Sequence, residues 1–149
     1  MTSPVHSVSV AAVVTDAEER VLVVQRRDNG QWQIPGGILE RDESIDAGMR
    51  REVYEETGLV VEADRLTGVY KNLRLGVVAL VFQARVTGGQ AGPTAESQQV
   101  DWWPVDRVQR EMSETFAVRV LDALGAHQPA VRFHDGVRLL REDSASRTG

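Results

Sequence analysis

No cysteine occurs among the 149 residues of this chain. That excludes a disulfide framework, a thiolate metal site and a cysteine nucleophile. Long apolar runs are missing too: none approaches the roughly 20 residues a membrane-spanning helix needs. The N-terminal MTSPVHSVSV has neither the basic start nor the continuous apolar centre of a secretion signal. Surplus positive charge is a third absence. The net charge of −5 argues against binding a nucleic-acid polymer, which requires a basic surface. It does not argue against a small phosphorylated substrate, since a bound metal reverses the local sign. Internal repeats and linkers are likewise absent. The expectation is a cytoplasmic protein without membrane contact, folded as a single domain over residues 1–141, with a polar, disordered tail over residues 142–149. Its apolar content of 42% is an ordinary globular value and suffices for one sizeable core.

What is present is concentrated in residues 37–59, GILERDESIDAGMRREVYEETGL. A Pro-Gly-Gly turn (Pro35, Gly36, Gly37) precedes it, and these residues leave backbone carbonyls open where side chains would block approach. The spacing predicts a helix over residues 45–57. Ser44 suits its N-cap, Asp46 the positive end of its dipole, and Gly58 the left-handed position after its last turn. Gly48 is the weak point, costing about 1 kcal/mol relative to alanine in a helix interior. Glu52, Glu55 and Glu56 stand at i, i+3 and i+4, so their carboxylates share one face. Three like charges near a helix C-terminus repel one another and oppose the dipole. A hard divalent cation removes both penalties, and Mg²⁺ takes such oxygen ligands while bridging to substrate phosphates. Taken alone, the trio also fits a solvated acidic face.

The full pattern of Gly37, Glu43, Arg51, Glu52, Val53, Glu55, Glu56, Gly58 and Leu59 resembles the Nudix box. That box is the signature of hydrolases acting on a nucleoside diphosphate linked to another moiety. Glu40 stands where many members carry a further glutamate. The resemblance spans about a sixth of the chain. It implies an α+β fold of the Nudix type, an α/β/α sandwich with a mixed β-sheet and a loop-helix-loop catalytic motif. It also implies Mg²⁺, or Mn²⁺, held by Glu52, Glu55, Glu56 and the carbonyl of Gly36. A carboxylate then takes the proton of the attacking water, Glu52 by first choice and Glu96 by second. Arg51 pairs with Glu43 to lock the loop against the helix. The partner implied is a small-molecule nucleotide, and the protein a monomer or homodimer.

Taken in order, residues 7–15 and 20–27 read as β-branched strands and are expected to pair as a hairpin. Arg26 and Arg27 alternate faces. By resemblance Arg27 contacts substrate phosphates, and a solvated strand end is the alternative. Trp32 can stack on a base or pack in the core. Residues 60–71 read as a strand interrupted near residues 63–65. Residues 75–87 have a dense apolar centre over 77–82, as in a central strand. Residues 99–104 form a short strand that turns one of Trp102 and Trp103 inward, followed by a short turn or helix over 105–110. A helix capped by Ser113 carries Phe116, Val120, Ala123 and Leu124 as its apolar stripe and ends at Gly125. Residues 130–140 form a hairpin around His134, Asp135 and Gly136, in which His134 is a turn residue. Strands, an acidic helix, further strands and a closing helix favour α+β over alternating βαβ units.

Within the resemblance, ADP-ribose cleavers carry a proline near Leu75 and dinucleoside polyphosphate cleavers a tyrosine, and this chain has neither. Tyr70 lies earlier and stands, with Arg27 and Trp32, as a candidate substrate contact. Signatures of coenzyme A and NADH cleavers are absent as well. What remains is the mutator type, which converts a nucleoside triphosphate, ordinary or oxidised, to monophosphate and pyrophosphate. The alternatives are an ADP-ribose or nucleotide-sugar pyrophosphatase and, in another class, a non-catalytic nucleotide sensor. Sensor descendants usually lose the box carboxylates, all of which are present here. A diphosphate isomerase is a third reading.

Overall fold

The apolar run near the N-terminus forms β1 (Ser7–Val14), and its second half is buried on both faces. The two-residue period of a strand divides it. Val10, Ala12 and Val14 pack with Met49 and Val53 of α1 (Ile45–Thr57), whereas Ala11 and Val13 pack towards Ala117 and Val120 of α3 (Glu114–Gly125). A strand between two helical layers needs exactly this run of small and β-branched residues. The computed structural model describes residues 4–125 and 128–142; residues 143–149 of the expected tail lie outside the described residues.

The remaining strands are β2 (Val21–Arg26), β3 (Trp32–Gln33), β4 (Gly36–Ile38), β5 (Leu59–Asn72), β6 (Val77–Gly89), β7 (Ser97–Trp103), β8 (Ala130–His134) and β9 (Leu139–Leu140), with α2 (Val105–Glu111) after β7. A six-stranded sheet runs β4-β1-β6-β5-β8-β9 and a three-stranded sheet β3-β2-β7. β1 pairs in parallel with β6 and β5 with β8, while β1 with β4, β5 with β6 and β8 with β9 are antiparallel, so the larger sheet is mixed. Helix α1 covers one side and α2 with α3 the other, the α+β sandwich expected from the sequence.

The expected hairpin of the first two strands is corrected. Both edges of β1 are filled by β6 and β4, so β2 turns away into the smaller sheet, and an isolated bridge joins Thr15, just past β1, to Val21. The interruption foreseen near residues 63–65 is a register shift between Ala63 and Arg65 within a continuous β5. β6 is central, as its apolar run implies. The stripe on α3 is rotated from expectation: Ala117, Val120 and Ala123 are buried, Phe116 is partly so, and Leu124 is 41% exposed. Gly48 also reads differently in place. A Cβ there would meet the Leu39 side chain and lie 2.7 Å from Glu43 Oε1, so the glycine lets the preceding loop close onto the helix.

Tyr70, a candidate substrate contact, belongs to the core instead. It is fully buried on β5, and its hydroxyl donates to Asp122 Oδ2 at 2.7 Å. Burial first, then the neighbouring Asp122 carboxylate, push the phenol pKa well above its usual range. Tyr70→Phe keeps the ring, and Asp122 remains bonded to Arg132. We expect a loss of about 1 kcal/mol in stability by chemical denaturation, with turnover within twofold of the parent.

Candidate active site

Helix α1 carries its own start and stop signals. The Ser44 side chain accepts from the Ala47 amide at 3.1 Å, and Gly58 adopts a φ of +81° as its amide donates to Tyr54. With the ends fixed, the helical period turns Glu52 and Glu56 towards the sheet, at 8% and 5% exposure, and leaves Glu55 outside. Glu56 Oε2 accepts from the Gly36 amide at 2.8 Å, joining helix to strand β4. Beside it, the carboxylate of Glu52 lies over Gly37, where a Cβ would be 2.6 Å from Cδ and 2.7 Å from Oε1. Only glycine accommodates that approach.

Arg51 ties the loop to the helix. Its Nε donates to Glu43 Oε2 at 2.8 Å and its Nη2 to Glu43 Oε1 at 2.6 Å, a bidentate pair. Nη1 reaches Glu52 Oε1 at 2.9 Å and Glu55 Oε2 at 3.2 Å. The Arg51 fork, and then the Glu40 amide, hold the Glu43 pKa down at about 2. Hydrogen bonding to Glu43 raises that of Arg51. Burial pushes Glu52 up against the pull of Arg51. It pushes Glu56 up to about 8, the charges of Glu52 and Glu96 adding to the effect and the Gly36 amide opposing it.

These groups face a cavity of about 430 Å³ that Glu52 and Glu56 line with Gly36, Gly37, Arg26, Arg27 and Glu96. Glu96 comes from the loop before β7. That loop is pinned because the Arg27 amide donates to the Glu96 carbonyl at 3.1 Å and Arg27 Nε to the Thr94 carbonyl at 2.9 Å. One carboxylate oxygen each of Glu52, Glu55 and Glu96 lies within 4.8 Å of the others. An all-oxygen, anionic donor set of this kind fits a hard divalent cation and no soft one.

The structure thus brings together Glu52, Glu55, Glu56, Glu96, Gly36 and Arg27, with Arg51 and Glu43 behind them. Trp32 stands apart from this cavity, its ring 4.8 Å from that of Trp103 and lining a different recess with Phe116. His134 is 3% exposed, and its Nδ1 accepts from the Gly136 amide, as a turn residue would. Arg26, to which the resemblance gave no role, also lines the acidic cavity and bonds Asp28 through Nε at 2.8 Å. Strand alternation was the signal available: Arg26 is the half-buried member of the arginine pair. We expect Gly37→Ala to lower turnover by roughly a hundredfold by shifting the Glu52 carboxylate. The far-ultraviolet dichroism should stay that of the parent, and unchanged kinetics would show that the approach of Glu52 to Gly37 is not needed.

No helix among the described residues is long and apolar enough to cross a membrane. Comparison with known proteins points the same way as the geometry. The NUDIX domain family model matches residues 5–124. A MutT-like protein of Streptomyces ambofaciens is 51% identical over 137 residues, covering 92% of this chain and 89% of that protein. The human 8-oxo-dGDP phosphatase is 37% identical over 102 residues, covering 64% of this chain and 31% of that protein. Among solved structures, an ADP-ribose pyrophosphatase from Streptococcus suis aligns with a TM-score of 0.70 at 25% identity, over 89% of this chain and 100% of that one. With Gly37, Glu52 and Glu56 of the box lining one acidic cavity and the family match running nearly the length of the described fold, this chain belongs to the Nudix hydrolase family.

Proposed function

We propose that the chain hydrolyses the diphosphate linkage of a small nucleotide in the presence of Mg²⁺ or Mn²⁺, with a nucleoside triphosphate, ordinary or oxidised, cleaved to monophosphate and pyrophosphate. The observation that carries this is the convergence of Glu52, Glu55 and Glu96 to within 4.8 Å, beside a cavity whose lining also includes Arg26 and Arg27. Carboxylates alone would repel a polyphosphate; carboxylates with a divalent cation, flanked by arginines, attract one.

Glu52, Glu55 and Glu56 would hold the metal with the Gly36 carbonyl. When bound, the ion supplies Lewis acidity at the phosphoryl oxygens and a more acidic water. The chain's own residues do the rest. Glu52 accepts the proton of the attacking water. Arg51 fixes its Oε1 at 2.9 Å and leaves Oε2, the oxygen nearer Gly37, for that proton. Glu96 is the second candidate for this role, on a loop that Arg27 holds in place. Arg26 and Arg27, which line the same cavity, orient the phosphates. Arg51 and Glu43 are positioning residues.

The triphosphate reading draws on the MutT-like relative and on the missing markers near Leu75, while the 8-oxo-dGDP phosphatase supports an oxidised nucleotide in its diphosphate form. An ADP-ribose substrate is the second reading, supported by the likeness to the Streptococcus suis enzyme over its whole length. A panel of ordinary and oxidised nucleoside triphosphates, the corresponding diphosphates, ADP-ribose, dinucleoside polyphosphates and nucleotide sugars, with Mg²⁺ and chromatographic resolution of products, decides between them. Monophosphate plus pyrophosphate from a triphosphate is the expected result. Cleavage of ADP-ribose alone would keep the reaction type and replace the substrate. Binding without turnover of any compound would favour a nucleotide sensor.

A further inference from the structure

A second recess of about 140 Å³ adjoins the acidic cavity, sharing Arg26, Gly36 and Gly37 with it. Its other polar lining includes Gln33 and Arg119. Arg119 has an unusual environment. Its Nε is buried with no hydrogen-bond partner, and its side chain makes no ion pair among the described residues. The guanidinium lies 5.2 Å from the Tyr70 ring centroid and 5.1 Å from that of Phe116, held between the two by cation–π attraction. Burial lowers its pKa only to about 10, so it is charged at neutral pH. Arg119 as a whole is half-buried, and a cation drawn this far from water is ordinarily paired with a carboxylate. Asp122, on the next turn of α3, is already taken: Arg132 holds both its oxygens at 2.7 Å and Tyr70 donates to Oδ2. The donors of Arg119 are therefore left for something that enters the recess.

The chemistry of that visitor follows from what the recess offers. A guanidinium has donors in a planar fork and no acceptor, while the amide of Gln33 both donates and accepts. The lining beside them is mixed, Arg26 and Ser9 standing with Val10, Ile34 and the flat ring of Phe116. A phosphate meets Arg26 together with Arg27 in the adjoining cavity, which leaves this recess, floored by the Phe116 ring, for the other end of the nucleotide. An uncharged planar heterocycle with acceptors along one edge suits the site. Guanine and hypoxanthine present a carbonyl oxygen and an adjacent ring nitrogen, both acceptors, to an arginine fork; adenine presents an amino donor at the same place.

We propose that Arg119 is a specificity residue that selects a purine with a carbonyl at C6, forking onto that edge with Gln33 beside it. The inference rests on the reading that the nucleotide's phosphates occupy the adjoining acidic cavity. Calorimetric titration of the full chain with GMP, IMP and AMP in the presence of EDTA tests it without turnover. The parent should bind GMP and IMP at least roughly tenfold more tightly than AMP. Arg119→Met should bring all three to the AMP value and leave AMP itself unchanged. Equal weakening of all three would make Arg119 a phosphate contact, and no change would make it a structural residue; either overturns the proposal. If the methionine variant does not fold, Arg119→Lys keeps the charge without the fork, and an undiminished GMP preference in that variant would overturn it equally. A preference for GMP in a chain that hydrolyses nothing would sink the hydrolase reading alone. Hydrolysis with no preference among the bases would sink this one alone.

Discussion

Glu56→Gln is expected to lower Mg²⁺-dependent turnover by roughly a thousandfold while leaving the fold intact. The amide is nearly isosteric, and its oxygen can still accept from the Gly36 amide, which Glu56 Oε2 does at 2.8 Å. What disappears is one negative charge on the cavity wall. Stability should move the other way. Burial holds the Glu56 pKa up at about 8, above the 4.5 of an unfolded chain. The folded state therefore retains this proton between those values, and the metal-free parent loses stability as pH rises through that window, by on the order of a few kcal/mol once it is complete. Glutamine carries no proton to lose, so the metal-free variant should be the more stable protein at pH 9. Adding Mg²⁺ should raise the melting temperature of the parent and leave that of the variant nearly unmoved. If turnover survives the substitution, Glu56 is not part of the metal site.

The same residues show why some of this was readable in the sequence. The limits of α1 are set by Ser44 and Gly58, which act on the backbone within a few residues of themselves, so local pattern suffices. The lock of Arg51 on Glu43 spans eight positions and lies within one loop and one helix. Features that needed distant chain were not readable. β2 leaves β1 because β6, more than sixty residues on, takes the parallel edge of that strand. Tyr70 looked available because nothing near it in sequence announces Asp122, fifty-two residues later. Gly48 scored as a weak helix residue because propensity ignores Leu39 and Glu43 pressing on that face. Arg119 sits among ordinary helix residues, and only the rings of Tyr70 and Phe116 and the engagement of Asp122 elsewhere set it apart.

Arg51→Ala should be the most damaging substitution that touches no substrate. It removes the bidentate bond to Glu43, the contacts to Glu52 and Glu55 and a donor to the Ile38 carbonyl at 3.3 Å. Exposed ion pairs contribute little. This one is 24% exposed on the arginine and 13% on Glu43, with fork geometry, and its loss leaves three carboxylates facing one another. We expect the melting temperature to fall by several degrees and turnover by roughly a hundredfold, the latter because Glu52 loses the contact that orients it. Arg51→Lys keeps the charge but cannot fork, and should recover only part of both losses. Mg²⁺ should stabilise the alanine variant more than the parent, since the ion then neutralises carboxylates that no arginine offsets. Acid provides an independent check. The pKa of Glu43 is held at about 2 in the folded chain against 4.5 when unfolded, so the stabilisation from this pair is complete above pH 4.5 and lost as pH falls through 2. The stabilities of parent and alanine variant should therefore converge across that interval. A constant gap between them down to pH 2 would show that Arg51 acts by packing, and that its pairing with Glu43 does not hold the loop.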